Sequence, residues 1–310
     1  MRLVADIGGT NARFALAGPD GRLQAERRLA VADFPGLAEA AESYLGGRKV
    51  EEAVIAVATP IETDEVRLTN AHWRFSVSGL GPRLGIPRLA VINDFVAQAF
   101  AVLHLSPGDW EPVGGGESVP GRAIGVLGAG TGLGVSALVP TNAGWVALPT
   151  EGGHTTLIAE TEEERAVRDW LGQRFGHISN ERVLSGPGLL NLAEALAGVS
   201  GGTTTARTPA DVSAFAGNAS CPYCVSAVRI FSALLGAFAG NLALVYGARG
   251  GIYVTGGVGR QLGPLFDRDA FRRRFTDKGR MSAYLDPIPT RLVKRDETGL
   301  LGAAFYPVDQ

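Results

Sequence analysis

Cysteine is almost missing from this chain: there are two in 310 residues, too few for a disulfide framework. Charge of one sign is missing too. The net charge is −2 and no long basic run occurs. That argues against a nucleic-acid partner, because binding a phosphate backbone takes clustered Lys and Arg. No Gly-Lys-Ser/Thr triplet follows any glycine turn, which excludes a P-loop. Ahead of Asp6 stand one Arg and a short apolar run, which do not make a signal peptide; the expected compartment is the cytoplasm. One uncharged stretch, Ile230 to Ala248, has the look of a single long helix, and it contains Gly236-x-x-x-Gly240. Its length would permit a membrane span. Ser232, Asn241 and its glycines dilute it, so the expectation is a helix buried between layers and no membrane partner.

What the chain does have is glycine, 43 residues and about twice the usual share. Two glycine clusters share one pattern. Leu3-Val4-Ala5 runs into Asp6-Ile7-Gly8-Gly9-Thr10-Asn11-Ala12-Arg13 and then Phe14-Ala15-Leu16-Ala17. Ala123 to Leu127 runs into Gly128-Ala129-Gly130-Thr131-Gly132-Leu133-Gly134 and then Val135 to Val139. Both read as strand, tight turn, strand. Glycines let successive backbone N–H groups converge on one spot, a concavity suited to phosphate oxygens. Asp6 faces the first such spot. A carboxylate beside bound phosphates is tolerable with a divalent cation between them, usually keeping its waters. An ordinary hairpin with an Asx turn would leave the same local pattern. The second copy, in the other half of the chain, suggests a duplicated fold that grips a nucleotide's phosphates from both sides.

The length suits two domains sharing a cleft. Leu23 to Val31 reads as a third strand and Pro35 to Leu45 as an amphipathic helix. Ala53 to Ala58 and Arg88 to Ile92 are apolar runs of the kind buried in parallel sheets. Val66 to Thr69 is a short strand, and Val77 to Leu84 and Phe95 to Leu103 are helices. This alternation indicates a layered α/β domain. Ser106 to Arg122, rich in Gly and Pro, reads as the crossing into a second domain. There follow a strand at Gly144 to Leu148, helices at Thr161 to Phe175 and Leu189 to Leu196, a loop at Gly201 to Arg207, and a helix start at Thr208-Pro209. The uncharged helix, a strand ending in Thr255-Gly256-Gly257, a strand at Arg291 to Val293 and a helix at Thr298 to Phe305 complete the chain.

Asn93-Asp94 sits where a strand ends and a helix begins. In α/β sheets ligands bind beyond such strand ends, and an ionised Asp there can take a proton from a hydroxyl attacking phosphorus. A plain helix cap explains Asn-Asp equally well. Glu151, His154 and Glu181 form a second polar set, able to accept hydrogen bonds from sugar hydroxyls or to join a metal site. Two motifs are decoys. Gly132-Leu133-Gly134-Val135-Ser136-Ala137 has the spacing of a dinucleotide fingerprint, but it leads into a strand where that motif needs a helix. Cys221-Pro222-Tyr223-Cys224 has the form of a redox pair, but it stands far from the start of a small redox domain.

Taken together, these segments resemble the bacterial, proteobacterial-type glucokinase family, of the actin, sugar-kinase and heat-shock-chaperone ATPase superfamily. The segments are Asp6 to Arg13, Ile92-Asn93-Asp94-Phe95, Gly128 to Gly134, Glu151-Gly152-Gly153-His154, Glu181 to Gly188 and Thr255-Gly256-Gly257. They stand in the family's order and span nearly the whole chain. The resemblance implies a two-domain actin-like ATPase fold (ribonuclease H-like) with an interdomain cleft. The small α/β domain would be 1–104, completed by a C-terminal helix at about 294–310, and the large one 105–293. The implied activity is ATP-dependent phosphorylation of glucose at its 6-hydroxyl, by a homodimer. Asp6 would hold Mg²⁺ through water; Gly8, Gly9, Thr10, Gly130 and Thr131 would cradle the ATP phosphates; Gly256 and Gly257 would lie against the adenosine. Asn93 and Asp94 would bind sugar hydroxyls with Asp94 as base, and Glu151, His154 and Glu181 would hold the anomeric end. Sugar binding would close the domains on the substrate. Ala5 and Thr150 stand where other members commonly carry smaller residues, and neither removes a functional group. A kinase for mannose, fructose or an N-acetylhexosamine, a non-catalytic sugar sensor, and an ATPase without a sugar are the alternatives.

Overall fold

The computed structural model describes residues 1–308. Residues 309 and 310, part of the expected C-terminal segment, lie outside the described residues. The chain divides into two compact units. Unit 1 is Met1–Ser106, Ala147–Pro149 and the residues from Arg295 onward; unit 2 is Pro107–Val146 and Thr150–Lys294.

Unit 1 carries strands β1 (Arg2–Ile7), β2 (Asn11–Ala17), β3 (Leu23–Ala30), β4 (Glu52–Val57), β5 (Glu65–Arg67), β6 (Arg74–Ser76) and β7 (Arg88–Asn93), with helices α1 (Leu37–Leu45), α2 (Val77–Leu84) and α3 (Asp94–Val102). The main sheet runs β3-β2-β1-β4-β7. Its first three strands are antiparallel; β4 and β7 join β1 in parallel. Leu3, Ile7, Phe14 and Ile55 face α1, where Leu37, Ala41 and Tyr44 complete one core. Phe14 stacks on Tyr44 with ring centroids 5.2 Å apart. Side chains alternate along a strand, so the buried Val4, Val54 and Ala56 belong to the opposite face. Coverage on both faces is why these strands read as unbroken apolar runs.

The second sheet consists of β8 (Trp110–Gly114), β9 (Ile124–Ala129), β10 (Leu133–Thr141), β11 (Gly144–Thr150), β12 (Gly251–Thr255) and β13 (Thr290–Val293), all in unit 2 but for Ala147–Pro149 of β11. It runs β11-β10-β9-β12-β13-β8. The first five repeat unit 1: an antiparallel hairpin, a third strand, then two parallel strands on the far side of the first. The duplication seen in the glycine turns therefore extends to the topology of both sheets. The helices are α4 (Glu162–Phe175), α5 (Gly186–Val199), α6 (Pro209–Gly217), α7 (Pro222–Tyr246), α8 (Gly257–Leu262), α9 (Arg268–Thr276) and α10 (Ser282–Leu285). The uncharged stretch proves to be the greater part of α7, which is long and apolar enough to cross a membrane; 72% of its most apolar window is buried inside the protein. Its two spaced glycines explain the packing. A Cβ at Gly236 would stand 2.0 Å from the Phe271 carbonyl oxygen, and one at Gly240 would stand 2.3 Å from that of Phe275. Backbone of α9 thus lies directly on the glycine stripe.

The chain closes with α11 (Thr298–Phe305), in unit 1. It lies on α3 so closely that a Cβ at Gly302 would stand 1.6 Å from the Ala97 carbonyl oxygen. Arg2 ties down its end, donating to the Ala304 and Tyr306 carbonyls at 2.8 Å each.

Some expectations need correcting. The segment Ser106 to Arg122 is not only a crossing: Trp110–Gly114 forms β8, the sheet's edge strand, a position that tolerates Pro112. Arg291 of β13 stacks over Trp110 at 4.7 Å and over Tyr253 of β12 at 5.2 Å, which pins that edge. Pro35 lies outside α1, whose N-cap is Gly36. β6 and α9 carry too few apolar residues to show in the pattern.

Candidate active site

In unit 1 the turn Gly8-Gly9-Thr10 joins β1 to β2, and the Gly8 N–H donates to the Asn11 carbonyl at 2.9 Å. A Cβ at Gly9 would meet Asn70 Cβ at 2.7 Å, so a side chain is excluded there. Gly8 has room for one; its own packing does not require glycine. Asp6, at the end of β1, pairs across the hairpin with Arg13, whose guanidinium is 3.7 Å away. The Asp6 side chain keeps 22% of its surface exposed. Burial pushes its carboxyl above the ordinary value, Arg13 opposes this, and Glu297 adds to it. Gly299 of α11 lies against the carboxylate, and a Cβ there would be 2.8 Å from Asp6 Cγ. Sequence reasoning gave Arg13 and Gly299 no role; the first could have been found from hairpin register, the second could not.

Ile7, Val57 and Asn93 share one row of the sheet, across β1, β4 and β7. Asn93 and the first glycine turn therefore lie at the same sheet end, two strand spacings or about 10 Å apart. The helix-cap alternative applies to Asn93, whose Oδ1 accepts from the Phe95 N–H at 2.8 Å. Asp94 is the first residue of α3 itself. Its Oδ1 also accepts from that N–H, at 3.0 Å.

In unit 2 the turn Gly130-Thr131-Gly132 joins β9 to β10. A Cβ at Gly130 would meet nothing within 4 Å among the described residues, so open space faces this backbone. Gly256, at φ +88°, follows β12 and lies on Ala129, whose carbonyl oxygen would be 2.4 Å from its Cβ. Gly256 and Gly257, the start of α8, are thereby set beside the second glycine turn.

The polar set Glu151, His154 and Glu181 is brought together. His154 Nε2 is 3.9 Å from Glu151 Oε2, and Nδ1 is 3.9 Å from Glu181 Oε1. The short helical turn Gly152–His154 lies flat on β10, because a Cβ at Gly153 would stand 1.9 Å from the Leu133 carbonyl oxygen. Glu181 Oε2 accepts the Leu133 N–H at 2.9 Å, and a Cβ at Gly132 would strike the same oxygen at 2.5 Å. Ser185 caps α5 through the Gly188 N–H at 3.0 Å and donates to the Glu181 carbonyl at 2.8 Å. Gly186 N–H donates to Gly130 oxygen at 2.8 Å. One loop thus braces both the polar set and the second glycine turn. Among the described residues no group of three His, Cys, Asp or Glu is placed to hold a metal ion. The Thr150 hydroxyl is spent inside the sheet, donating to the Val135 carbonyl at 2.8 Å.

The profile of the glucokinase family matches residues 3–310. The chain is 46% identical to a glucokinase of Paramagnetospirillum magneticum over 100% of its own length and 98% of that relative's. It is 44% identical to one of Chromobacterium violaceum, covering 99% and 89%. Among solved structures, a glucokinase from an Antarctic psychrotroph superposes with a TM-score of 0.88 at 37% identity, covering 98% of this chain and 97% of that one.

Proposed function

The chain belongs to the glucokinase family, ATP-dependent enzymes that phosphorylate glucose on a two-domain actin-like ATPase fold, and from that premise we propose that it transfers the γ-phosphoryl group of ATP to the 6-hydroxyl of glucose. The observation that carries the sugar reading is the Glu151–His154–Glu181 cluster, standing on the strand that leaves the second glycine turn. An ATPase that takes no sugar has no use for it. These three side chains and Asn93 hold sugar hydroxyls, and Asp94 receives the proton of the attacking one. Phosphoryl transfer has a loose transition state, so the protein's contribution is positioning and charge stabilisation. Backbone N–H groups of Gly8, Gly9, Thr10, Gly130 and Thr131 cradle the phosphates, while Gly256 and Gly257 lie against the adenosine.

Mg²⁺ fits the donor chemistry at Asp6. A hard cation takes carboxylate oxygen, and Arg13 at 3.7 Å is only a loose partner for that charge. Bound through water there, the ion would offset the charge of the phosphates. We also infer a cytoplasmic homodimer; light scattering during gel filtration checks this against 32.3 kDa per chain.

The deciding experiment is ADP release from Mg·ATP with glucose, mannose, fructose, N-acetylglucosamine and no sugar, side by side. Turnover highest with glucose and far above the sugar-free background is the expected result. Equal turnover without sugar assigns an ATPase, preference for another sugar changes the substrate, and silence throughout points to a sugar-sensing protein.

A further inference from the structure

The cysteine pair has no part in the proposed phosphoryl transfer, and its surroundings differ from those of inert core cysteines. The Cys-x-x-Cys motif sits at the start of α7 with Pro222 in its first turn. Cys221 is the N-cap: its Sγ accepts the Cys224 N–H at 3.2 Å, the task a Ser or Asp oxygen usually performs. Both thiols lie at one spot of the structure, within reach of a single hydroxyl. Thr204 lies beside both, its hydroxyl 3.7 Å from Cys221 Sγ and 3.9 Å from Cys224 Sγ. Neither cysteine is in a disulfide and both are buried, though unequally: Cys221 keeps 8% of its surface exposed and Cys224 none. Residues three apart at a helix start satisfy the Cα separation of roughly 4.4–6.8 Å that a disulfide requires, so side-chain rotation can bring the two sulfurs to bonding distance.

We propose that Cys221 and Cys224 form a redox-active dithiol, a covalent site separate from the phosphoryl-transfer residues, whose reaction partner is a low-molecular-weight disulfide. Cys221, the less deeply buried thiol and the one at the helix N-terminus, attacks. Its thiolate bonds to one sulfur of the small disulfide, whose other half leaves as a thiolate. The Cys224 thiol then gives up its proton to that leaving thiolate and attacks Cys221 sulfur, expelling the second half. The balance is two protein thiols plus one small disulfide giving one protein disulfide plus two small thiols. The electrostatics agree with these roles. Burial alone would raise Cys221, but hydrogen bonds from the Cys224 thiol and N–H, the Thr204 hydroxyl and the Tyr223 N–H outweigh it, and the thiol lies below its ordinary value. Burial pushes Cys224 up to about 12, helped by its bond to Cys221 and by the Asp211 charge. A lowered helix-start thiol beside a raised partner is the arrangement that favours exchange.

The test uses the full chain, reduced and then incubated with glutathione disulfide. Trypsin releases residues 208–229, which carry both cysteines. The expected product is this peptide about 2 Da lighter, closed to alkylation, and restored by a reducing agent. Cys224→Ser should stop at the mixed disulfide, with one glutathione on Cys221; Cys221→Ser should remain unmodified. Cooperative thermal unfolding of both variants shows that they are folded. A wild-type chain whose cysteines both stay alkylatable after denaturation, at every glutathione disulfide concentration, overturns the proposal. So does glutathione uptake by folded Cys221→Ser at the rate of Cys224→Ser.

Discussion

Gly153→Ala separates a merely convenient glycine from one the site depends on. An added Cβ would sit 1.9 Å from the Leu133 carbonyl oxygen, and real Cβ contacts essentially never fall under 3.0 Å. Something must move by about 1 Å. β10 is the stiffer side, since Leu133 is paired with Ala129 of β9 and its N–H is held by Glu181. The turn Gly152–His154 is therefore the part that retreats, taking Glu151 and His154 with it. A displacement of about 1 Å costs on the order of 10²-fold in catalysis when the moved groups position substrate, while the overpacking costs about 1–3 kcal/mol of stability. The assay is initial-rate phosphorylation with glucose and ATP titrated separately, beside a denaturant melt. The expected result is a fall in kcat/KM for glucose of roughly 10²-fold, with KM for ATP moved far less. Wild-type kcat/KM for glucose would refute both the steric argument and the role given to His154.

Asp94→Ala should lower kcat by at least ~10²-fold with ATP binding kept, the scale of a general base; wild-type turnover would remove Asp94 from that role. Glu181→Gln keeps an oxygen for the Leu133 N–H but loses the charge, so KM for glucose should rise more than KM for ATP, and equal shifts would mark Glu181 as a brace alone. Gly302→Ala places a Cβ 1.6 Å from the Ala97 carbonyl oxygen and should lower stability by about 1–3 kcal/mol or more as α11 lifts from α3; an unchanged denaturation midpoint contradicts that packing. Glu26 is raised to about 7, first by its hydrogen bond to Glu297, then by burial and by the Glu297 charge. A raised carboxyl contributes stability that is complete below its unfolded value of 4.5 and is lost as pH rises to about 7. The side chain is exposed, so the amplitude should stay under about 1 kcal/mol. Melting temperature followed across that window should fall in the wild type and run flatter in Glu26→Gln, whereas parallel curves would discard the coupling.

Much of the architecture was legible because its signals are local. Buried parallel strands leave unbroken apolar runs, as at Ala53 to Val57. Caps leave their own marks, as at Thr208-Pro209, where the Thr208 side chain takes the Asp211 N–H. β8 stayed hidden because an edge strand of five residues with a proline has little pattern to show. The Cys-x-x-Cys segment was set aside on its position in the chain alone, since sequence shows none of its spatial neighbours. Thr204, whose hydroxyl stands beside both sulfurs, lies seventeen residues from Cys221.

The glycine turns, the apolar strands, the polar residues after them and the order in which all these follow one another were set by the sequence alone, since each follows from backbone freedom or burial within a few residues. The tertiary structure decided which of them meet. Glu181 reaches back 48 residues to the Leu133 N–H, and Gly299 comes from the far end of the chain to rest on Asp6. Such contacts depend on how sheets and helices stack, and close packing lets a missing Cβ at Gly153, Gly236 or Gly302 fix the distance between elements in a way no local pattern records.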